Sequence, residues 1–209
     1  MKIYEFVQRS NVRFRSLRRI AEPAFEPVSV SDAKEHLRID ASFTDDDTYL
    51  QTLIEAGRVW VETASSRTLI RSRWQAKLDM FPAKDIELPM PPIMSDEVVV
   101  TYIPSDRPEY VDVPFTDFRT DRDSVPQIIR PQWNGTWPTA RGAENDVTIK
   151  YWAGYGTASS SVPAAARHVI LMLVGHWYNT REAVLPGGMN QVPMAIEQLM
   201  GTINWGQYR

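Results

Sequence analysis

Thr44-Asp45-Asp46-Asp47-Thr48-Tyr49-Leu50-Gln51-Thr52-Leu53-Ile54-Glu55-Ala56-Gly57-Arg58-Val59-Trp60-Val61-Glu62-Thr63-Ala64-Ser65 reads as one amphipathic helix. Leu50, Leu53, Ile54, Gly57, Trp60, Val61 and Ala64 fall at three- and four-residue steps, which lays them along a single stripe. Thr44 is placed to cap the helix, and the three aspartates after it oppose the positive end of the helix dipole. Upstream, Val30 to Ile39 predicts a shorter helix, with Ser29 as N-cap and Asp32 completing a capping-box-like pair. Downstream the period changes to two. Trp74, Ala76, Leu78 and Met80 alternate with Arg73, Gln75, Lys77 and Asp79, the pattern of a half-buried strand.

Further strands are expected at Ile86 and Leu88, over Val98–Ile103 and over Val147–Trp152. Ten of the fifteen prolines lie in residues 68–156 and keep these strands short. Helical spacing returns near Val162–Pro163, with Ser161 as cap, and continues to about Glu182. Every residue from Val169 to Val174 is apolar, which predicts burial on several sides. After Pro186-Gly187-Gly188 a last helix starts at Pro193, with Ile196, Leu199, Met200 and Ile203 on one face. The fold class is therefore α+β: a bundle of about four helices (29–66 and 162–204) with a β-rich insertion (68–156) between the second and third. Residues 1–22 are set apart as a basic N-terminal extension, and 23–209 form the main domain.

The chain has 209 residues, 43% hydrophobic and 23% charged, and no cysteine. That length is enough for a real core without staples. Disulfides, thiolate metal sites and a thiol nucleophile are excluded. No apolar run reaches the roughly 18–20 residues that span a bilayer. Residues 1–20 lack the apolar centre of a signal peptide, so the protein is expected to be soluble and made in the cytoplasm. The net charge of −3 hides an asymmetry. Lys2, Arg9, Arg13, Arg15, Arg18 and Arg19 stand against Glu5 alone in the first twenty residues, which leaves the remainder at −8. An acidic body with a basic arm argues against a broad nucleic-acid-binding face.

No set of residues carries recognisable catalytic chemistry. His36 stands among charged neighbours on the first helix, and His168 and His176 are two turns apart rather than at the four-residue step of paired zinc ligands. Gly154-Tyr155-Gly156 lies between a strand and a helix but lacks a third glycine, so it reads as a chain reversal. There is neither a phosphate loop nor a Gly-x-Ser-x-Gly elbow. No catalytic residue, metal or cofactor is assigned. Aromatic residues stand out instead. Trp133, Trp137, Trp152, Trp177 and Trp205 fall in loops or near element ends, where they serve as core, glycan platforms or partner anchors.

The order of these segments resembles the phage head–tail connector (adaptor) family. The phrase Glu26-Pro27-Val28-Ser29-Val30-Ser31-Asp32-Ala33-Lys34-Glu35-His36-Leu37-Arg38-Ile39-Asp40 is similar to the family's opening. The likeness continues in Ile54-Glu55-Ala56-Gly57-Arg58, in Arg67-Thr68-Leu69-Ile70 with Trp74, and in Ile86-Glu87-Leu88-Pro89 with Pro91-Pro92-Ile93. It closes with Ala153-Gly154-Tyr155-Gly156 and with Leu173-Val174-Gly175-His176-Trp177-Tyr178-Asn179. This resemblance spans about residues 22–205.

It implies a non-enzymatic virion protein at the head–tail junction, forming a ring of about twelve copies under the portal. The partners implied are the portal protein, a stopper or other tail-side neck protein, further copies of the chain, and double-stranded DNA passing without sequence specificity; no membrane is involved. Portal docking is expected at Trp205, Tyr208 and Arg209, and contacts between subunits at Leu171, Met172, Trp177 and Trp137. Two other readings stand beside it: another neck or tail-completion protein, and a glycan- or receptor-binding virion protein that uses the loop tryptophans.

Overall fold

The computed structural model describes residues 12–83, 85–94, 98–106, 111–124, 126–180 and 194–203. They fall into two compact units. Residues 24–65 and 156–209 belong to one, and 1–23 and 66–155 to the other.

The first unit is helical. Helix α1 (Val30–Leu37) begins with the predicted capping box: Ser29 Oγ accepts from the Asp32 N–H at 3.0 Å, and the Asp32 carboxylate accepts from the Ser29 N–H at 2.9 Å. It stops two residues before the expected Ile39, because Arg38 takes a left-handed conformation (φ 59°) and returns its N–H to Glu35. Helix α2 (Asp47–Ser65) begins two residues later than expected, since Asp45 and Asp46 form a turn closed by the Asp47 N–H on the Thr44 carbonyl.

Leu50, Leu53, Ile54, Gly57 and Val61 are buried as the stripe predicts. Helix α3 (Ala164–Asn179) is preceded by a 3-10 turn over Ser159–Ser161. The expected cap Ser161 therefore lies in that turn, and Pro163 stands at the N-cap without a side-chain bond. Helix α4 (Met194–Ile203) buries Ile196, Met200 and Ile203. α2 packs on α3, α3 on α4, and α1 against both α2 and α3.

The second unit is built of strands. Strands β1 (Ser16–Ala21), β2 (Ser72–Leu78), β8 (Val147–Ala153), β4 (Val99–Tyr102) and β5 (Val113–Phe115) form an antiparallel sheet in that order. β3 (Ile86–Glu87), β7 (Ile128–Pro131) and β6 (Phe118–Asp121) form a second, smaller sheet. One core joins them: Trp74, Ala76, Leu78, Ile86, Leu88, Ile129, Ile149 and Tyr151 are all buried in it.

β2 alternates buried and half-buried residues throughout, as period two predicts. Met80, counted with its inner face in the sequence, lies past the strand's end and is 60% exposed. β1 falls inside the stretch read from sequence only as a basic extension. It pairs with β2 along its length, and Val12 and Phe14 before it are buried in the core. The chain reversal at Gly154 has φ 133°, and a Cβ there would come within 2.6 Å of the Arg71 backbone nitrogen, so only glycine fits.

Candidate interaction surfaces

Within the helical unit the connector-like opening is tied down by charge. Arg58, in mid-α2, is almost fully buried. Its Nε donates to Glu26 at 2.7 Å and its guanidinium to Glu62 at 3.1 Å. Burial works against the Arg58 charge, but the hydrogen bonds and charges of Glu26 and Glu62 outweigh it and hold its pKa above the ordinary value. The two carboxylates satisfy a cation that would otherwise be costly inside the protein, and Glu26 is thereby held beside α2. The aspartate triplet is also partly engaged. Asp47 pairs with the buried Lys34 at 2.6 Å, and Asp46 accepts from the Tyr178 hydroxyl.

On α3, Val169, Ile170, Leu173 and Val174 are buried, whereas Leu171 and Met172 are only half-buried. The all-apolar run is thus covered on one side and partly open on the other. Leu171 lines a shallow groove with Pro27, Val28, Asp32, Glu35, His36 and Arg167. His36 and His168, unrelated in the sequence reading, meet edge to face at 6.3 Å. Trp177 is half-buried. At about 100° per residue it lies about 240° round α3 from Leu171, so the helical candidates do not share one face.

In the strand unit Trp137 stacks on Phe81 at 5.0 Å and tilts against Phe115 at 5.6 Å. Its ring is thus engaged in packing inside the unit. Trp133, four residues earlier, is 89% exposed. It is carried on a tight turn in which the Gly135 N–H returns to the Gln132 carbonyl at 2.8 Å and Asn134 has φ 60°. Trp205, Tyr208 and Arg209 lie outside the described residues.

The outer face of the five-stranded sheet is a third surface, and the sequence reading did not assemble it. Register places Arg18, Gln75 and Lys150 on one rung and Ser16, Lys77 and Thr148 on another. Arg73 stands opposite Trp152, and the Arg71 guanidinium lies over the Trp152 ring at 3.7 Å.

Residues 27–103 match the family model described as phage gp6-like head-tail connector protein. The match covers 77 of the 209 residues, and it is to the family that the sequence resembles. The matched segment runs from the opening phrase through α1, α2, β2 and β3 to the end of β4. Three solved structures extend the likeness, in fold, to most of the chain. A chain in the neck of an empty gene transfer agent (GTA) particle, computed with C6 symmetry, is 18% identical. It aligns with a TM-score of 0.74 over 90% of this chain and 94% of its own. A chain in the virion of a native gene transfer agent particle gives 18% identity and 0.71 over 89% and 93%. A chain in the neck of the native particle, computed with C12 symmetry, gives 17% and 0.68 over 90% and 94%. At such identities the likeness is one of fold. No curated protein matches in sequence.

Proposed function

We propose that this connector is a non-enzymatic subunit of the neck of a long-tailed phage particle. In this reading it forms a ring of about twelve copies under the portal, joins head to tail, and lets double-stranded DNA pass. One observation carries the reading: the connector-family segment belongs to a fold that aligns over 90% of the chain with a neck protein of a phage-like particle. The C12 symmetry of one matched neck supports the copy number.

The portal protein is the head-side partner and a stopper or related neck protein the tail-side one. Leu171, Met172, Trp177 and Trp137 are proposed at contacts between copies. Trp137 does so by shaping the aromatic cluster from within. Trp205, Tyr208 and Arg209 are proposed to dock on the portal, since Trp, Tyr and Arg are the residue types that most often anchor such interfaces. Head-to-tail contacts in a ring are single until closure, when every subunit gains two; the isolated protein is therefore a monomer or weak assembly that closes on its portal.

Imaging of purified particles tests the reading. Ring density at the neck that fits this fold, and tailless heads when the chain is deleted, are the expected results. Tailed, infectious particles without the protein would overturn it. Truncation after Ile203 tests docking: the shortened chain keeps its melting temperature and no longer joins heads to tails. The exposure of Trp133 favours the glycan-binding alternative, which expects Trp133→Ala to abolish binding to host cell wall while leaving particle assembly intact.

A further inference from the structure

We propose that the outer face of the five-stranded sheet is a duplex-DNA surface, with Arg18, Lys77 and Lys150 as its phosphate contacts. This rests on the neck reading and adds to it which side of the molecule meets the DNA. The sequence reading drew the opposite expectation from the acidic body. Charge averaged along a chain hides what a pleated sheet does, since alternate residues leave on one side.

The inner side of β2 and β8 is Trp74, Ala76, Leu78, Val147, Ile149, Tyr151 and Ala153, all buried. Outward these two strands carry Arg73, Gln75, Lys77, Thr148, Lys150 and Trp152, and Val99 of β4, 42% exposed, lies opposite Lys150. Arg18 and Lys150 share a rung, separated by two strand spacings or about 10 Å, and Arg73 and Lys77 flank that rung on β2, about 14 Å apart. Among the described residues Arg18, Lys77 and Lys150 have no carboxylate partner. The acids at the rim, Asp79 and Glu144, are taken by Arg15 at 2.7 and 3.4 Å. Asp79 also accepts from the Asn145 N–H.

Two features select nucleic acid over an acidic protein. The middle of a protein–protein interface is depleted of charge and built around an apolar centre. Here the middle strand carries Lys150 between Gln75 and Val99, so a protein partner would have to bury charge where it needs hydrophobic contact. Duplex DNA instead presents a negative charge about every 1.7 Å of its axis and asks only for spaced cations and neutral donors. Ser16 and Gln75 supply such donors between the cations. Trp152 with Arg71 and Arg73 on its ring (3.7 and 5.6 Å) fixes two guanidinium groups at the edge of the field. None of these groups reads base edges, so the contact is indifferent to sequence.

The test is a salt titration of full-length protein binding a fluorescein-labelled duplex of random sequence, followed by anisotropy. Each phosphate-neutralising cation contributes about one to the slope of log affinity against log salt. Arg18→Gln, Lys77→Gln and Lys150→Gln combined should lower that slope by about three without changing the melting temperature. The control Arg119→Gln with Arg122→Gln, both exposed and carried by the smaller sheet's β6 and the turn after it, should leave it unchanged. An unchanged slope in the triple variant, no wild-type binding at low salt, or equal binding of polyglutamate would overturn the proposal. Particle imaging separates its failure from that of the neck reading. Wild-type protein present at the neck but blind to duplex sinks only this face; protein absent from the neck sinks the neck reading, and the titration still decides the face.

Discussion

Gly57 of α2 meets Ile170 of α3 so closely that a Cβ on the glycine would lie 3.1 Å from Ile170 Cγ2. This contact of the two helices is therefore set by a missing side chain. Gly57→Ala asks Ile170 to give by a few tenths of an ångström and returns helix propensity of about 1 kcal/mol, so the two effects nearly offset. Gly57→Val adds bulk that cannot be accommodated and should cost about 1–3 kcal/mol. Thermal melting of the two variants checks this, and an unshifted valine variant would contradict the packing.

Arg58 gives a second prediction. Glu62→Ala removes one of the two carboxylates hydrogen-bonded to it while the guanidinium stays buried, and breaking such a pair from one side costs about 3–5 kcal/mol. Arg58→Met, which removes the charge itself and keeps most of the bulk, should be milder. Denaturant unfolding of both variants measures the order, and a harsher methionine variant would refute it.

The capping box predicts a pH dependence. The Ser29 hydroxyl and then its backbone N–H bond the Asp32 carboxylate and lower its pKa below the ordinary aspartate value. A carboxylate depressed in the folded state stabilises fully above the unfolded pKa of about 3.9, and loses that contribution as pH falls from there through the folded value. Ser29→Ala should cost about 1 kcal/mol near neutral pH, with a smaller difference from wild type in strong acid. A difference that grows in acid would reverse the sign and reject the assignment.

Trp133 and Trp137 are four residues apart and should behave oppositely. Trp137→Ala takes a stacked ring from the cluster around Phe81 and should cost about 3 kcal/mol. Trp133→Ala touches an 89% exposed ring and should change stability by no more than about 0.5 kcal/mol. Melting curves of the two variants decide, and equal losses would mean that Trp133 packs where the structure shows it open.

Tyr151 is fully buried, and burial raises its pKa well above the usual tyrosine value. Its hydroxyl donates to the Pro89 carbonyl at 2.8 Å. Tyr151→Phe leaves that carbonyl without its donor and should cost about 1–3 kcal/mol. Spectroscopic titration of the wild type should leave this tyrosine un-ionised until the protein unfolds in base.

Elements whose physics is local are legible along the chain. Ser29 and Asp32 are three residues apart, so their capping box was legible, as were the stripe from Leu50 to Val61 and the alternation of β2. The order of those elements carried the family resemblance, because spacing along a chain survives where identity does not. The rest depends on contacts between distant segments. β1 looked like a basic tail because Arg18 and Arg19 dominate its composition; β2 supplies the ladder that makes Ser16–Ala21 a strand, and that pairing is non-local. Arg58 reads as a solvated arginine until Glu26, thirty-two residues away, is brought to it. The cationic sheet face draws Arg18, Lys77 and Lys150 from three distant strands, and no window along the chain contains them together. Sequence periodicity says which side of a strand faces water. Register across strands decides what that side becomes.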